Sequence, residues 1–143
     1  MREGRMIVNR IMLFFHVLGA VGMGFYLLLP FFLQKAFLEK RPVLHVLYWM
    51  NFITQWVLVI QLFSGGYLYF KGSYSFLWII LVFITYMSIG GFGGLFGYYI
   101  RKYHHSPQDF TFHLWIRKVR IHAIFASITM LLILVLMLFP YQF

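Results

Sequence analysis

Charge-free hydrophobic runs set the pattern of this chain. Four of them stand out: Ile11 to Gln34, Pro42 to Phe70, Gly72 to Ile100, and Ile121 to Phe143. Each is longer than the roughly 20 residues a helix needs to cross a hydrocarbon core of about 30 Å. Runs this long are not soluble strands, and buried helices of soluble proteins rarely go so far without a charge. The pattern predicts an all-α integral membrane protein: one domain over 1–143, a four-helix transmembrane bundle with short loops. The expected spans are about 11–34, 44–70, 74–100 and 119–140. The first is not a cleaved signal, because it outruns a signal h-region and Gln34-Lys35-Ala36 offers no small-residue cleavage site. Pro30 falls near its end, where a kink is cheap. Lys71-Gly72-Ser73 leaves room for only a tight turn between spans two and three.

The segment from Arg101 to Arg120 reads as the one sizeable loop. Ser106-Pro107-Gln108-Asp109 has the residues of a helix start, with Ser as N-cap and Pro in the first position. Beyond it, Phe112, Trp115, Ile116 and Val119 share a helical face. Two readings fit: an interfacial amphipathic turn before helix four, with its aromatics at headgroup depth, or a cytoplasmic extension of helix four itself.

Composition agrees with lipid as the main solvent. The chain is 62% hydrophobic and 10% charged, against roughly 25% charged in soluble domains. Twelve Lys and Arg oppose three acids, and the basic residues fall at the borders of apolar runs. There they suit anionic headgroups and membrane topology rather than nucleic acid. With four spans, Arg2, Arg5, Arg10 and Lys71 share one face with both termini. Lys35, Lys40, Arg41, Arg101, Lys102, Arg117, Lys118 and Arg120 share the other. The positive-inside rule then predicts a multi-pass cell-membrane protein with both termini extracytoplasmic, although the N-terminal arginines pull the other way. The chain has no cysteine, which removes disulfides, thiolate metal sites and Cys nucleophiles.

No Asp, Glu, Lys or Arg lies in the middle of a span. That omission argues against carboxylate-based pumps and leaves histidines as the candidate chemistry. His16 lies six residues past Arg10, roughly 9 Å deep at 1.5 Å per residue. It would ligate haem or a metal, hydrogen-bond a quinone, or simply bond a neighbouring helix. His45 and His122 enter from the opposite face at depths of roughly 6 Å and 3 Å. They are compatible with one shared ligand between helices two and four. His104, His105 and His113 bring further imidazoles to that face, a set suited to a transition metal or to no ligand at all. Gly90 with Gly94, and Gly93 with Gly97, form overlapping GxxxG pairs for close helix packing. Ala20 and Gly24, with Gly19, offer a matching small face on helix one, so helix one is expected to pack on helix three, with a dimer seam as the alternative. Asn51, Thr54, Gln55, Gln61 and Ser64 make helix two the most polar span, suited to a small polar cavity or to interhelical hydrogen bonds.

Three segments carry a resemblance: His16-Val17-Leu18-Gly19-Ala20, Phe63-Ser64-Gly65-Gly66-Tyr67-Leu68, and a basic start to helix four that ends in Leu138-Phe139-Pro140. The chain resembles small four-helix bacterial membrane proteins of unassigned function. More distantly, it resembles the copper-resistance-D-type and HemJ-type protoporphyrinogen oxidase families. The later-span Lys of the HemJ pattern is absent here. Few catalytic groups and extensive packing surfaces favour a non-enzymatic accessory or assembly subunit of a larger membrane system. The alternative is a haem- or quinone-binding redox protein using His16, His45 or His122, with haem b as the cofactor. Expected partners are the lipid bilayer, including anionic lipids, and a membrane protein or a second copy of the chain.

Overall fold

The computed structural model describes residues 2–105 and 111–139. It contains α1 (Arg2–Met23), α2 (Phe25–Phe32), the short α3 (Lys35–Leu38), α4 (Arg41–Tyr69), α5 (Phe76–His105) and α6 (Phe112–Leu138). Four stretches are long and apolar enough to cross a membrane: Met6–Phe32, Arg41–Tyr69, Phe76–Tyr103 and Phe112–Leu138. This is an all-α, polytopic membrane protein.

The helices run past the expected span limits, and the reason is physical. A basic residue ends a count of apolar residues without ending a helix, because its long side chain carries the charge outward. Arg10 therefore lies inside α1, Arg101 and Lys102 inside α5, and Arg117, Lys118 and Arg120 inside α6. The expected loop over 101–120 is correspondingly short. Phe112, Trp115, Ile116 and Val119 belong to the first turns of α6, an extension of helix four and not a separate turn before it. Trp115 and Val119 are fully buried. Trp115 stacks on Tyr103 at 4.0 Å, and its indole N–H donates to the Tyr99 carbonyl at 2.9 Å. The expected helix start at Ser106 to Asp109 lies outside the described residues; α6 itself follows Thr111.

The first span is broken at Gly24, where the Gly24 amide bonds Val21 O in a tighter turn. The break divides its packing. α1 lies along α4, α2 lies along α6, and α5 fills the space between α4 and α6. Spans one and three therefore stand on a diagonal instead of packing side by side, contrary to the glycine-based expectation. The α1–α4 seam is a ladder of antiparallel pairs. The Tyr67 hydroxyl donates to Asn9 Oδ1 at 2.8 Å, and His16 meets Ser64. Gly19 meets Gln61, and Gly22 meets Val57. In α2 the ladder continues as Tyr26 donates to Asn51 Oδ1 at 3.1 Å and accepts from Gln55 Nε2 at 2.6 Å. Polar atoms within a hydrocarbon slab need partners, and this seam supplies them. Residues Leu44, Leu47, Asn51, Thr54, Leu58, Gln61 and Ser64 form the buried stripe of α4. Its polar members explain why α4 has the lowest mean hydropathy of the four spans, 1.5.

Of the glycines expected to pack, only one overlapping pair does. A Cβ at Gly93 would strike the Tyr26 hydroxyl and the Gln55 amide, and one at Gly97 would strike Asn51 Nδ2 at 2.5 Å. Gly90 and Gly94 would meet nothing within 4 Å. The missing side chains make room for the polar cluster of Tyr26, Asn51 and Gln55, and not for a neighbouring backbone.

Candidate functional site

In the half of the bundle nearest the Lys71 turn, α1 follows α4 and leaves α6. A cavity of about 690 Å³ fills the space, walled by α1, α4, α5 and α6. Most of its wall is apolar, from Val17 and Ala20 on α1 to Met130 and Leu134 on α6. The polar side chains in the wall include His16 on α1, Gln61 and Tyr69 on α4, Tyr74 in the turn before α5, and Tyr86 on α5. Tyr86 is occupied structurally, since its hydroxyl donates to the Leu58 carbonyl.

His16 is held by Gly65 and Ser64, and its neighbour in the wall, Gln61, by Gly19. A Cβ at Gly65 would come within 3.1 Å of His16 Cε1, and one at Gly19 within 2.8 Å of the Gln61 side chain. The two sequence segments around His16 and Ser64 thus interlock, each clearing space for the other's polar side chain. His16 Nδ1 lies 3.2 Å from Ser64 Oγ. That hydroxyl is 3.3 Å from the Gln61 carbonyl and 3.4 Å from Gln61 Oε1. Among the described residues no buried side-chain nitrogen or oxygen lacks a partner. Both His16 and Gln61 line the cavity, and neither His16 Nε2 nor Gln61 Nε2 is engaged in a hydrogen bond with the described residues.

The other histidines are placed elsewhere. His45 is on the α4–α5 side, beside a cleft of about 190 Å³ shared with Arg101 and His105, and its Nε2 accepts from the Trp49 indole at 2.9 Å. His122 faces α5 between Tyr99 and Phe92, and its Nδ1–H donates to the Lys118 carbonyl at 2.7 Å. Spans two and four occupy opposite corners of the bundle, so the expected His45–His122 pair is set on two different seams. His105 Nδ1–H donates to the Arg101 carbonyl at 2.9 Å, and His113 is exposed beside Phe112. Among the described residues no three His, Asp or Glu side chains gather as a metal site.

Tyr26, Tyr86 and Trp78 were missed from sequence, because aromatic residues are so common here that none stands out. The polarity of α4 was legible, with Asn51, Thr54, Gln55, Gln61 and Ser64 as its carriers, but the contact of Gln61 with Ser64 within that helix was not. Fold and site together define a polytopic membrane protein with a polar-tipped cavity inside its bundle. No protein-family model, curated protein or solved structure matches the chain.

Proposed function

We propose that this protein binds a neutral, lipid-soluble ring compound of the quinone class, taken from the bilayer into the cavity beside His16. The cavity is the observation that carries the reading. Its volume lies within the roughly 300–1,000 Å³ of small-molecule sites, and a few polar groups tip an otherwise apolar wall, as such sites require. α1 and α6 do not pack closely in this half, which leaves a sideways entry for an apolar tail. The HemJ-type resemblance would bring haem, and His16 Nε2 suits it as an axial ligand. A haem also brings two propionates, and no Lys or Arg lines the cavity. A neutral ligand fits that wall better. The accessory-subunit reading has no particular surface behind it, so the cavity is the stronger ground.

The test is to isolate the protein with its native lipids in polymer discs, extract it with solvent, and analyse the extract by chromatography and mass spectrometry. About one quinone per chain is expected, together with its loss in Ala20→Phe, which fills the cavity. A Soret band in place of quinone would favour haem. Finding neither, with no uptake of an added short-tailed quinone, would overturn the reading.

A further inference from the structure

We propose that the His16–Ser64–Gln61 chain lets the cavity accept both oxidation states of its ligand, quinone and quinol, by exchanging the tautomer of one neutral imidazole. The inference rests on the ligand reading above and adds to it which forms bind.

The two forms make opposite demands. A quinone oxygen only accepts hydrogen bonds, whereas a quinol hydroxyl also has a proton to donate. A neutral imidazole carries one N–H and one lone pair, and which nitrogen holds the proton depends on what the other nitrogen meets. Here Nδ1 meets a hydroxyl, which can donate or accept. Ser64 Oγ lies 3.2 Å from His16 Nδ1 and within 3.3–3.4 Å of two Gln61 oxygens, but it has a single proton to share among them. When that proton points to Nδ1, the ring holds its own proton on Nε2 and donates it to a quinone carbonyl. When the proton points to Gln61, Nδ1–H donates to Ser64 Oγ, and the lone pair of Nε2 accepts from a quinol hydroxyl. Both arrangements pair the Ser64 proton and both ring nitrogens, and neither creates a charge in the hydrocarbon, where a charge would be costly. Gln61 Nε2 is a donor in both cases and serves either form, because a quinol oxygen keeps its acceptor lone pairs. Gly19 and Gly65 give the arrangement its room, since a Cβ at either position would press on Gln61 or on His16.

The test uses the full chain in nanodiscs with a decyl-substituted benzoquinone and, under anaerobic conditions, its quinol. Affinities are measured for both forms. The protonated nitrogen of His16 is read from ¹⁵N resonances of histidine-labelled protein, assigned by difference with His16→Gln. Both forms are expected to bind with affinities within tenfold of each other. His16 should carry its proton on Nε2 with the quinone and on Nδ1 with the quinol. Ser64→Ala should weaken both forms about fivefold, the effect of losing roughly 1 kcal/mol of hydrogen bonding. Binding of one form only, a single tautomer with both forms, or unchanged affinities in Ser64→Ala would overturn the inference and leave the cavity reading standing. If neither form binds, both fall.

Discussion

A methyl group at Gly93 has nowhere to go, while one at Gly94 would meet nothing within 4 Å. Neighbouring positions on a helix lie about 100° apart, so adjacent glycines face different surroundings. A GxxxG pattern alone therefore does not choose between overlapping pairs. What chooses is Tyr26, a bulky phenol that has to reach Asn51 and Gln55 past the surface of α5. Gly93→Ala is expected to destabilise the protein by about 1–3 kcal/mol through overpacking. Gly94→Ala should be neutral or slightly stabilising, because alanine is the better helix former. Thermal unfolding in detergent separates the two, and equal melting would remove the close-contact account. Tyr26→Phe is a milder test, since it takes away only the hydroxyl shared with Asn51 and Gln55. About 1 kcal/mol should be lost, in keeping with hydrogen bonds between membrane helices, and a double-mutant cycle with Asn51→Leu would recover most of that as coupling.

Helix ends show what hydropathy can and cannot locate. The existence and order of the four spans were legible, because nothing but a membrane helix accounts for apolar runs of that length. Their ends were displaced where Arg10, Arg101 and Arg120 continue a helix instead of closing it. Arg120 does more than mark a border. Its Nε–H donates to the Leu33 carbonyl at 3.0 Å, at the C-terminal cap of α2. Terminal carbonyls of a helix lack partners within it, and a cationic donor there also suits the helix dipole. Trp78 acts likewise at the far end of α6, with its indole N–H on the Leu136 carbonyl at 2.8 Å. Arg120→Ala and Trp78→Phe should each lower stability by about 1–2 kcal/mol. Arg120→Lys should recover only part of that, because an ammonium does not reproduce the guanidinium fork. Full stability in Arg120→Ala would show that the cap is dispensable. The break at Gly24 was only half visible: Pro30 drew attention to the end of the span, whereas the turn comes six residues earlier, at a glycine.

Across the whole molecule, the excess of basic residues on the face opposite the termini is expected to place that face in the cytoplasm and both termini outside. Single cysteines at Ser73 and Gln34, in a chain with none of its own, test this with an impermeant thiol reagent on intact cells. Labelling at Ser73 and protection at Gln34 is the expected result, and the reverse would invert the topology. The divided packing of the first span has a consequence for biosynthesis. Its leading half finds its partner as soon as the second span arrives, and the seam from Asn9 to Gly22 can close at that point. Its trailing half cannot finish so early. Phe25, Tyr26 and Leu29 are only 7%, 0% and 0% exposed; Tyr26 bonds α4, but α2 as a whole packs chiefly on α6, the fourth span. Of these four spans, the first thus stays half docked until the fourth is made. A fragment ending at His105 should insert but be cleared rapidly in a pulse-chase experiment, and co-expression of residues 106–143 should extend its lifetime. A fragment as long-lived as the full chain would show that the first span needs no partner from the last.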